Sequence, residues 1–405
     1  MFGIDQGETR MSDNAPLWTP TPEAVAGSAM MRFLKLAQEK AGRALVDYEG
    51  LHRWSVEDPE AFWSLLWDWF GIKGVRGERI LLDADRMPGA TFFPDARLNF
   101  AENLLWKTGE ADAIVFRGED KAARRLSWDD LRALVSRYQQ LFSEEGVTVG
   151  DRIAAMMPNM PETVAAMLAA ASLGAIWSSC SPDFGEQGVL DRFSQIDPVL
   201  FIACDGYWYN GKRIDLSEKI AHVLDRLPTV RRAFIADYLG TAADIAASST
   251  RAASLCDASA AFEPAPLSFE HLPFGHPLYI LFSSGTTGVP KCIVHSAGGA
   301  LLQHLKEHRL HASLGEGDRF FYFTTCGWMM WNWLVSGLAS GATLILYDGS
   351  PFYPDGNVLF DYADAEKMTH FGTSAKFIDS VRKAGLEPMR THDLSTVRVI
   401  SSTGS

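Results

Sequence analysis

Residues 151–204 read DRIAAMMPNMPETVAAMLAAASLGAIWSSCSPDFGEQGVLDRFSQIDPVLFIAC. The short apolar runs IAAMM (153–157), AIWSSC (175–180) and VLFIAC (199–204) alternate with the helical patterns PETVAAMLAAASLG (161–174) and EQGVLDRFSQI (186–196). Continuous apolar runs suit strands covered on both faces, and the helices between them suit crossovers. The stretch therefore predicts an α/β fold of mostly parallel sheets sandwiched by helices. Downstream the rhythm predicts a helix near 216–227 and a strand near 232–236. It pauses over 240–272, an Ala/Ser-rich and then Pro-containing stretch that reads as a loop or a short excursion. It resumes with YILFSS (279–284), CIVHS (292–296), a helix at 297–310, RFFYFTT (319–325), TLILYD (343–348), HFGTS (370–374) and VRVISSTGS (397–405).

Upstream the alternation begins at Leu126. Before it, Asp58-Pro59-Glu60 leads into AFWSLLWDWF, which reads as a capped helix with Pro in its first turn. Phe62, Trp63, Leu66, Trp67 and Phe70 give that helix a broad apolar face, better suited to packing on a neighbouring unit than to a ligand box. Residues 1–30, rich in Pro, Thr, Ala and Ser, read as an arm, with Met11 as an alternative start. Residues 31–110 read as a helical wrap and 111–405 as the large domain. At the other end an apolar strand runs straight into Ser-Thr-Gly-Ser, so the chain is expected to be a fragment of a longer protein.

Composition narrows the function. The 405 residues are 47% apolar and 21% charged, which suits two or three folded domains and excludes a mostly disordered chain. The net charge of −13 argues against a nucleic-acid or anionic-membrane surface, so an anionic ligand needs a local pocket of amides and a few cations. No apolar run is long enough to span a membrane, and the acidic start MFGIDQGETRMSDN lacks a secretory pattern; a cytoplasmic protein is expected. The cysteines, Cys180, Cys204, Cys256, Cys292 and Cys326, include no CxxC pair, and four sit in or beside apolar runs as expected buried thiols. Neither a metal site nor a disulfide framework is expected, and the ten histidines show no HExxH.

The densest chemistry lies in Ser283-Ser284-Gly285-Thr286-Thr287-Gly288-Val289-Pro290-Lys291, between two strand-like runs. Its glycines permit tight turns, its hydroxyls and N–H groups suit phosphate oxygens, and Lys291 adds a cation. GxxxxGK[ST] is absent, so this is not a Walker A loop. The competing reading is a Gly/Ser hairpin turn. His295, beside it, reads as structural.

FSSGTTGVPK resembles the phosphate-binding signature of the adenylate-forming superfamily. The stretch from LSWDDLRALVS to SSCSPDFG is similar to the opening subdomain of short-chain acyl-CoA synthetases, and FWSLLWDWFGIKG with FFPDARLNFAENLL resembles the N-terminal wrap of the acetyl-CoA synthetase branch. Within that branch SSCSPDFG, TTCGWMMWNWL and HFGTSAKFI most resemble the members that activate acetoacetate. The resemblance implies the superfamily's large N-terminal domain, without its small C-terminal domain. It implies an ATP-dependent acid–thiol ligase whose small-molecule substrates are acetoacetate, ATP with Mg²⁺, and coenzyme A. Acetate, propionate, or a catalytically incomplete nucleotide-binding fragment are the alternatives.

By that resemblance Ser283, Ser284, Gly285, Thr286, Thr287, Gly288 and Lys291 hold the ATP phosphates, and Thr403, Gly404 and Ser405 touch the nucleotide. Trp328 falls at the floor of the acyl pocket, with Met329 and Met330 as its walls; smaller residues follow the Trp in the acetate-specific pattern, so a different short acid is favoured. Trp333 reads as core. A ketone in that pocket needs a hydrogen-bond donor, for which Lys376, Asn332 and Ser374 are candidates. Gly211, Lys212 and Arg213, in a loop after a strand end, correspond to a coenzyme A contact; the competing reading is a solvated loop. The superfamily's catalytic Lys and its carboxylate for Mg²⁺ are expected beyond residue 405, so the chain itself carries no catalytic residue and no metal ligand.

Overall fold

The structure, a computed structural model, describes residue 16 and residues 18–283 and 288–403. Two sheets carry the fold. The first has seven strands in the order Ala252–Ser254, Arg232–Ala236, Leu200–Cys204, Arg152–Met156, Ile176–Cys180, Pro277–Phe282 and Cys292–Ser296. All neighbours are parallel except the last pair, an antiparallel hairpin at the edge. The second has six strands, in the order Val399–Thr403, His370–Ser374, Arg319–Tyr322, Thr343–Asp348, Asp112–Gly118 and Ala122–Ser127, again parallel but for the final pair. The protein is thus an α/β fold with mostly parallel sheets, as the alternation predicts.

The physical reason is continuous burial. Ile176–Cys180 and Leu200–Cys204 are buried at every position, so both faces must be covered. The helix Pro161–Ser172 covers part of that surface and is itself buried almost all round; its alanines let it pack closely against the helix Trp128–Glu144. The latter starts from a capping box, in which Ser127 Oγ accepts from the Asp130 N–H and the Asp130 carboxylate accepts from the Ser127 N–H.

The amino-terminal part is helical. Pro22–Ala26, inside the expected arm, buries nothing, whereas Ala29–Ala41 buries Ala29, Phe33, Leu34 and Ala37. Asp58 caps Pro59–Phe70 by accepting from the Ala61 N–H at 3.1 Å. Phe62, Leu66, Trp67 and Phe70 are buried and Trp63 is half-buried. The Trp67 ring lies 5.1 Å from Phe93, which in turn lies 5.0 Å from Phe274, so the aromatic face packs on the main body.

Several expectations need correction. Of the two readings of 240–272, the loop gives way to the short excursion: the stretch contains the helices Ala242–Ala247 and Leu255–Ala260 and the strand Ala252–Ser254, which extends the first sheet. Alanine and serine carry too little apolar contrast to reveal such short elements. The expected helix at 297–310 is α-helical only over Ala297–Leu305 and continues as a π-helix over Lys306–His311. RFFYFTT is a strand only over Arg319–Tyr322. Cys180, Cys204 and Cys326 are buried, but Cys292 is exposed, as is Cys256. Cys292 opens an edge strand whose first three side chains are exposed, a position that apolar sequence alone does not reveal. Among the described residues no helix is long and apolar enough to cross a membrane.

Candidate active site

Parallel strands send all their carboxyl ends to one edge, where an open α/β sheet binds ligands. Here the carboxyl edges of the two sheets are bolted together. The segment that leaves Arg319–Tyr322 in the second sheet reaches the first, where Ser179 Oγ donates to the Cys326 carbonyl at 2.7 Å and Cys326 Sγ donates to the Pro158 carbonyl at 3.3 Å. Five residues on, Trp331 Nε1 donates to Asn159 Oδ1 at 3.0 Å, both residues being buried. In the second sheet Ser374 and Thr403 pair side by side at the ends of their strands.

The phosphate-loop candidate hangs between the ends of the edge hairpin. Ser283 N–H donates to the Lys291 carbonyl and Lys291 N–H donates to Ser283 Oγ, both at 3.0 Å, which pins the mouth of the loop. Ser283 Oγ keeps its own proton to donate, and Lys291 is exposed. Gly288 stands at φ +140°, a conformation suited to glycine. Ser284, Gly285, Thr286 and Thr287 lie outside the described residues, as do Gly404, Ser405 and Met11.

Trp328 precedes the helix Met329–Val335 and is 57% exposed; Met329 is also exposed and Met330 half-buried. The other two tryptophans of the run turn inward. Trp333 is buried against the His308 ring at 4.3 Å and Phe320 at 5.2 Å. Of the ketone-donor candidates, Ser374 Oγ is engaged in capping the helix Ala375–Lys383, where it accepts from the Phe377 N–H. Asn332 is buried, with its Nδ2 3.5 Å from the Trp328 carbonyl and its Oδ1 without a partner among the described residues. Lys376 is exposed in the first turn of the same capped helix. His295 is half-buried with its ring 5.0 Å from Tyr279, and burial lowers its pKa.

The segment Asp205–Arg213 is a hairpin rather than a solvated loop. Gly206–Tyr209 pairs with Lys212–Asp215 around Asn210 and Gly211, both at positive φ. Asn-Gly is the strongest short-range signal for such a two-residue turn, and it could have revealed this one. A Cβ on Gly211 would sit 2.6 Å from the Tyr353 ring, so the turn is seated against the second sheet's loop. Lys212 and Arg213 are exposed on the outer strand.

What holds the turn in place has no signal in the local sequence. The buried carboxylate of Glu119 accepts from the N–H groups of Asn210 at 2.7 Å, Gly211 at 2.9 Å and Ser350 at 2.9 Å, tying the hairpin, which continues from the first sheet, to the strand ends of the second. Glu119→Gln turns an amide NH₂ toward one of those donors. The expected loss is about 1–3 kcal/mol, read as a lower denaturant midpoint at unchanged m. An unchanged midpoint would contradict this role. Nearby, buried Asp205 likewise accepts from the N–H groups of Tyr238, Leu239 and Thr241. Asp348, at the carboxyl end of its strand, has Oδ2 buried without a partner among the described residues, and burial, helped by the charge of Glu119, pushes its carboxyl up to about 7.

Comparison with known proteins fits this geometry. Residues 104–405 match the family described as AMP-binding enzyme, and residues 48–104 match the acetyl-coenzyme A synthetase N-terminus. The chain belongs to the AMP-binding enzyme family. Within the family it is 63% identical over 397 residues to acetoacetyl-coenzyme A synthetase of Rhizobium meliloti (strain 1021), covering 98% of this chain and 60% of that protein. A malonamoyl-CoA synthetase of Penicillium aethiopicum is 39% identical over 409 residues, covering 94% of this chain and 57% of that protein. The solved acetoacetyl-CoA synthetase from Streptomyces lividans superposes with a TM-score of 0.91 at 41% identity, over 97% of this chain and 60% of that one. The chain thus spans about 60% of the length of relatives it matches.

Proposed function

We propose that this chain is the nucleotide- and acyl-binding part of an ATP-dependent ligase that joins acetoacetate to coenzyme A. The observation that carries this reading is the 63% identity, over nearly the whole chain, to a protein named acetoacetyl-coenzyme A synthetase. In the first step a carboxylate oxygen of the acid attacks the α-phosphorus of ATP, which arrives as its Mg²⁺ complex, and pyrophosphate leaves. In the second the thiol sulfur of coenzyme A attacks the acyl carbon, AMP leaves, and the thiol proton passes to solvent. Neither step needs a protein nucleophile; the chain supplies position and charge.

On this reading Ser283, Ser284, Gly285, Thr286, Thr287, Gly288 and Lys291 receive the phosphates, and Thr403, Gly404 and Ser405 approach the nucleoside. Trp328, Met329 and Met330 border the acid, and Gly211, Lys212 and Arg213 meet coenzyme A. We assign residues 1–30 to an arm, 31–110 to a wrap and 111–405 to the large domain, a division that accords with the change of family match at residue 104. A cytoplasmic location accords with buried thiols free of disulfides.

The malonamoyl-CoA synthetase relative favours an acid with a carbonyl two carbons from the carboxylate. Malonamate and acetoacetate share that shape, whereas acetate and propionate lack the carbonyl. A site built to bond it rejects acids without it by orders of magnitude. In pyrophosphate exchange by the full-length enzyme, acetoacetate should therefore exceed acetate and propionate in kcat/KM by about a hundredfold or more. Equal use of acetate would overturn the assignment of the acid while leaving the family intact.

A further inference from the structure

A second cavity lies on the opposite edge of the second sheet. It encloses about 400 Å³ and is lined by Phe70, Lys73, Trp106, Arg309, Glu316 and Ser340, among others. Glu316 precedes the strand Arg319–Tyr322 and Ser340 precedes Thr343–Asp348, so the cavity sits at the strands' amino ends, away from the carboxyl-edge crevice.

Its charge is unbalanced. Arg309 is half-buried and projects from the π-helix Lys306–His311; its Nη1 donates to the Phe70 carbonyl at 3.1 Å, and no carboxylate lies within ion-pair distance among the described residues. Burial lowers its pKa, with only the charge of Glu316 opposing. Glu316 is itself engaged by Lys107 at 3.4 Å. Lys73 stands exposed on the rim, its main chain clamped on both sides by Asn103, whose Oδ1 accepts from the Lys73 N–H at 2.8 Å and whose Nδ2 donates to the Lys73 carbonyl at 3.0 Å.

Three further features point to a ligand. Ser340 is only 5% exposed, lines the cavity, and its hydroxyl has no partner among the described residues. A native structure leaves few buried hydroxyls in that state. Trp106 offers an indole 38% exposed in the same wall. A π-helix, rare and concentrated at functional sites, carries the cation.

We propose that this cavity binds a small organic anion, a carboxylate or phosphate head on a flat apolar body, with Arg309 and Lys73 meeting the head and Trp106 the body. The volume suits a ligand of one ring with its head group, and because the one lining acid, Glu316, is already engaged by Lys107, the two cations Arg309 and Lys73 suit one negative charge.

The test uses benzoate, phenyl phosphate and the neutral isostere benzamide, with binding to the full chain followed by ligand-observed NMR. At least one anion should bind at about millimolar concentration or better, and benzamide should not. Preference between the two anions identifies the head group. Arg309→Met, which keeps the packing stem, should weaken binding about tenfold or more, and Arg309→Lys should restore part of it. Lys73→Gln, a change on the exposed rim that leaves folding intact, should weaken it severalfold. Failure of both anions to bind, equal binding of benzamide, or binding unchanged in both Arg309→Met and Lys73→Gln would overturn the proposal. The last result would locate the anion elsewhere, as in the phosphate loop.

Discussion

Gly288→Val is expected to lower acetoacetate-dependent pyrophosphate exchange by the full-length enzyme about a hundredfold or more while the fold survives. Gly288 stands at φ +140°, and among the described residues a Cβ there would meet nothing within 4 Å. The positive φ is by itself an obstacle to any side chain. A β-branched residue must leave that conformation, at a cost of about 1–3 kcal/mol, which a stable domain tolerates. The loop's path does not tolerate it equally. Its mouth is pinned by the two bonds between Ser283 and Lys291, so the altered φ must be absorbed within the loop that is proposed to hold the phosphates. In-line transfer loses about two orders of magnitude for a displacement near 1 Å. Circular dichroism should match the wild type, with melting lowered by only several degrees, the size of that backbone cost. Exchange at the wild-type rate would sink the phosphate-loop assignment, and joint loss of fold and exchange would show that Gly288 acts in the scaffold.

Acid should unfold the protein through two buried histidines. His304 and His308 are buried, and burial foremost pushes both pKa values down to about 3. His304 Nδ1 faces Ser336 Oγ at 2.7 Å, and His308 Nε2 donates to the Trp333 carbonyl at 2.8 Å, leaving His308 Nδ1 without a partner among the described residues. In the unfolded chain both take protons near pH 6.5, whereas the folded chain takes them only near 3. Stability is therefore full above about 6.5 and lost as pH falls through that window, by about 1.4 kcal/mol per histidine per pH unit. At pH 5 the pair costs about 4 kcal/mol. Asp348 works in the opposite sense: its folded pKa of about 7 lies above the ordinary 3.8, so the folded state gains its proton first and recovers stability as pH falls. That returns about 2 kcal/mol over the same interval, leaving a net loss of about 2 kcal/mol. Denaturant midpoints between pH 7 and 5 should show that slope, steeper in Asp348→Asn and flatter in His308→Gln. Midpoints that do not move with pH in the wild type and in Asp348→Asn would contradict the account.

Much of this architecture was legible from local pattern. Doubly covered strands such as Leu200–Cys204 announce themselves as unbroken apolar runs, and Asp58 with Pro59 announces its helix. The partition into two sheets was not legible, because pairing between Asp112–Gly118 and Thr343–Asp348 leaves no mark in either segment alone. Edge position escaped for the same reason, which is why Cys292 reads as buried and stands exposed. At the site, the clustered hydroxyls before Lys291 and the aromatic run at Trp328 are compositional signals. Glu119 is not, since its partners at Asn210, Gly211 and Ser350 converge only in the fold. The π-helix likewise carries His308, whose packing on Trp333 is a contact across elements that no short window of sequence contains.

The second sheet is begun before the first and finished after it. Its hairpin Asp112–Gly118 with Ala122–Ser127 leaves the ribosome early, and the strand that must lie beside it, Thr343–Asp348, follows 231 residues later between Asp112 and Thr343. At about 5–20 residues per second, that is a wait of roughly ten to fifty seconds. Throughout it the hairpin presents an apolar, unpaired edge, while the intervening residues can already close the seven-stranded sheet. Nascent chains caught in this interval are the ones a chaperone would have to shield, and a translational pause placed before residue 343 would lengthen their exposure.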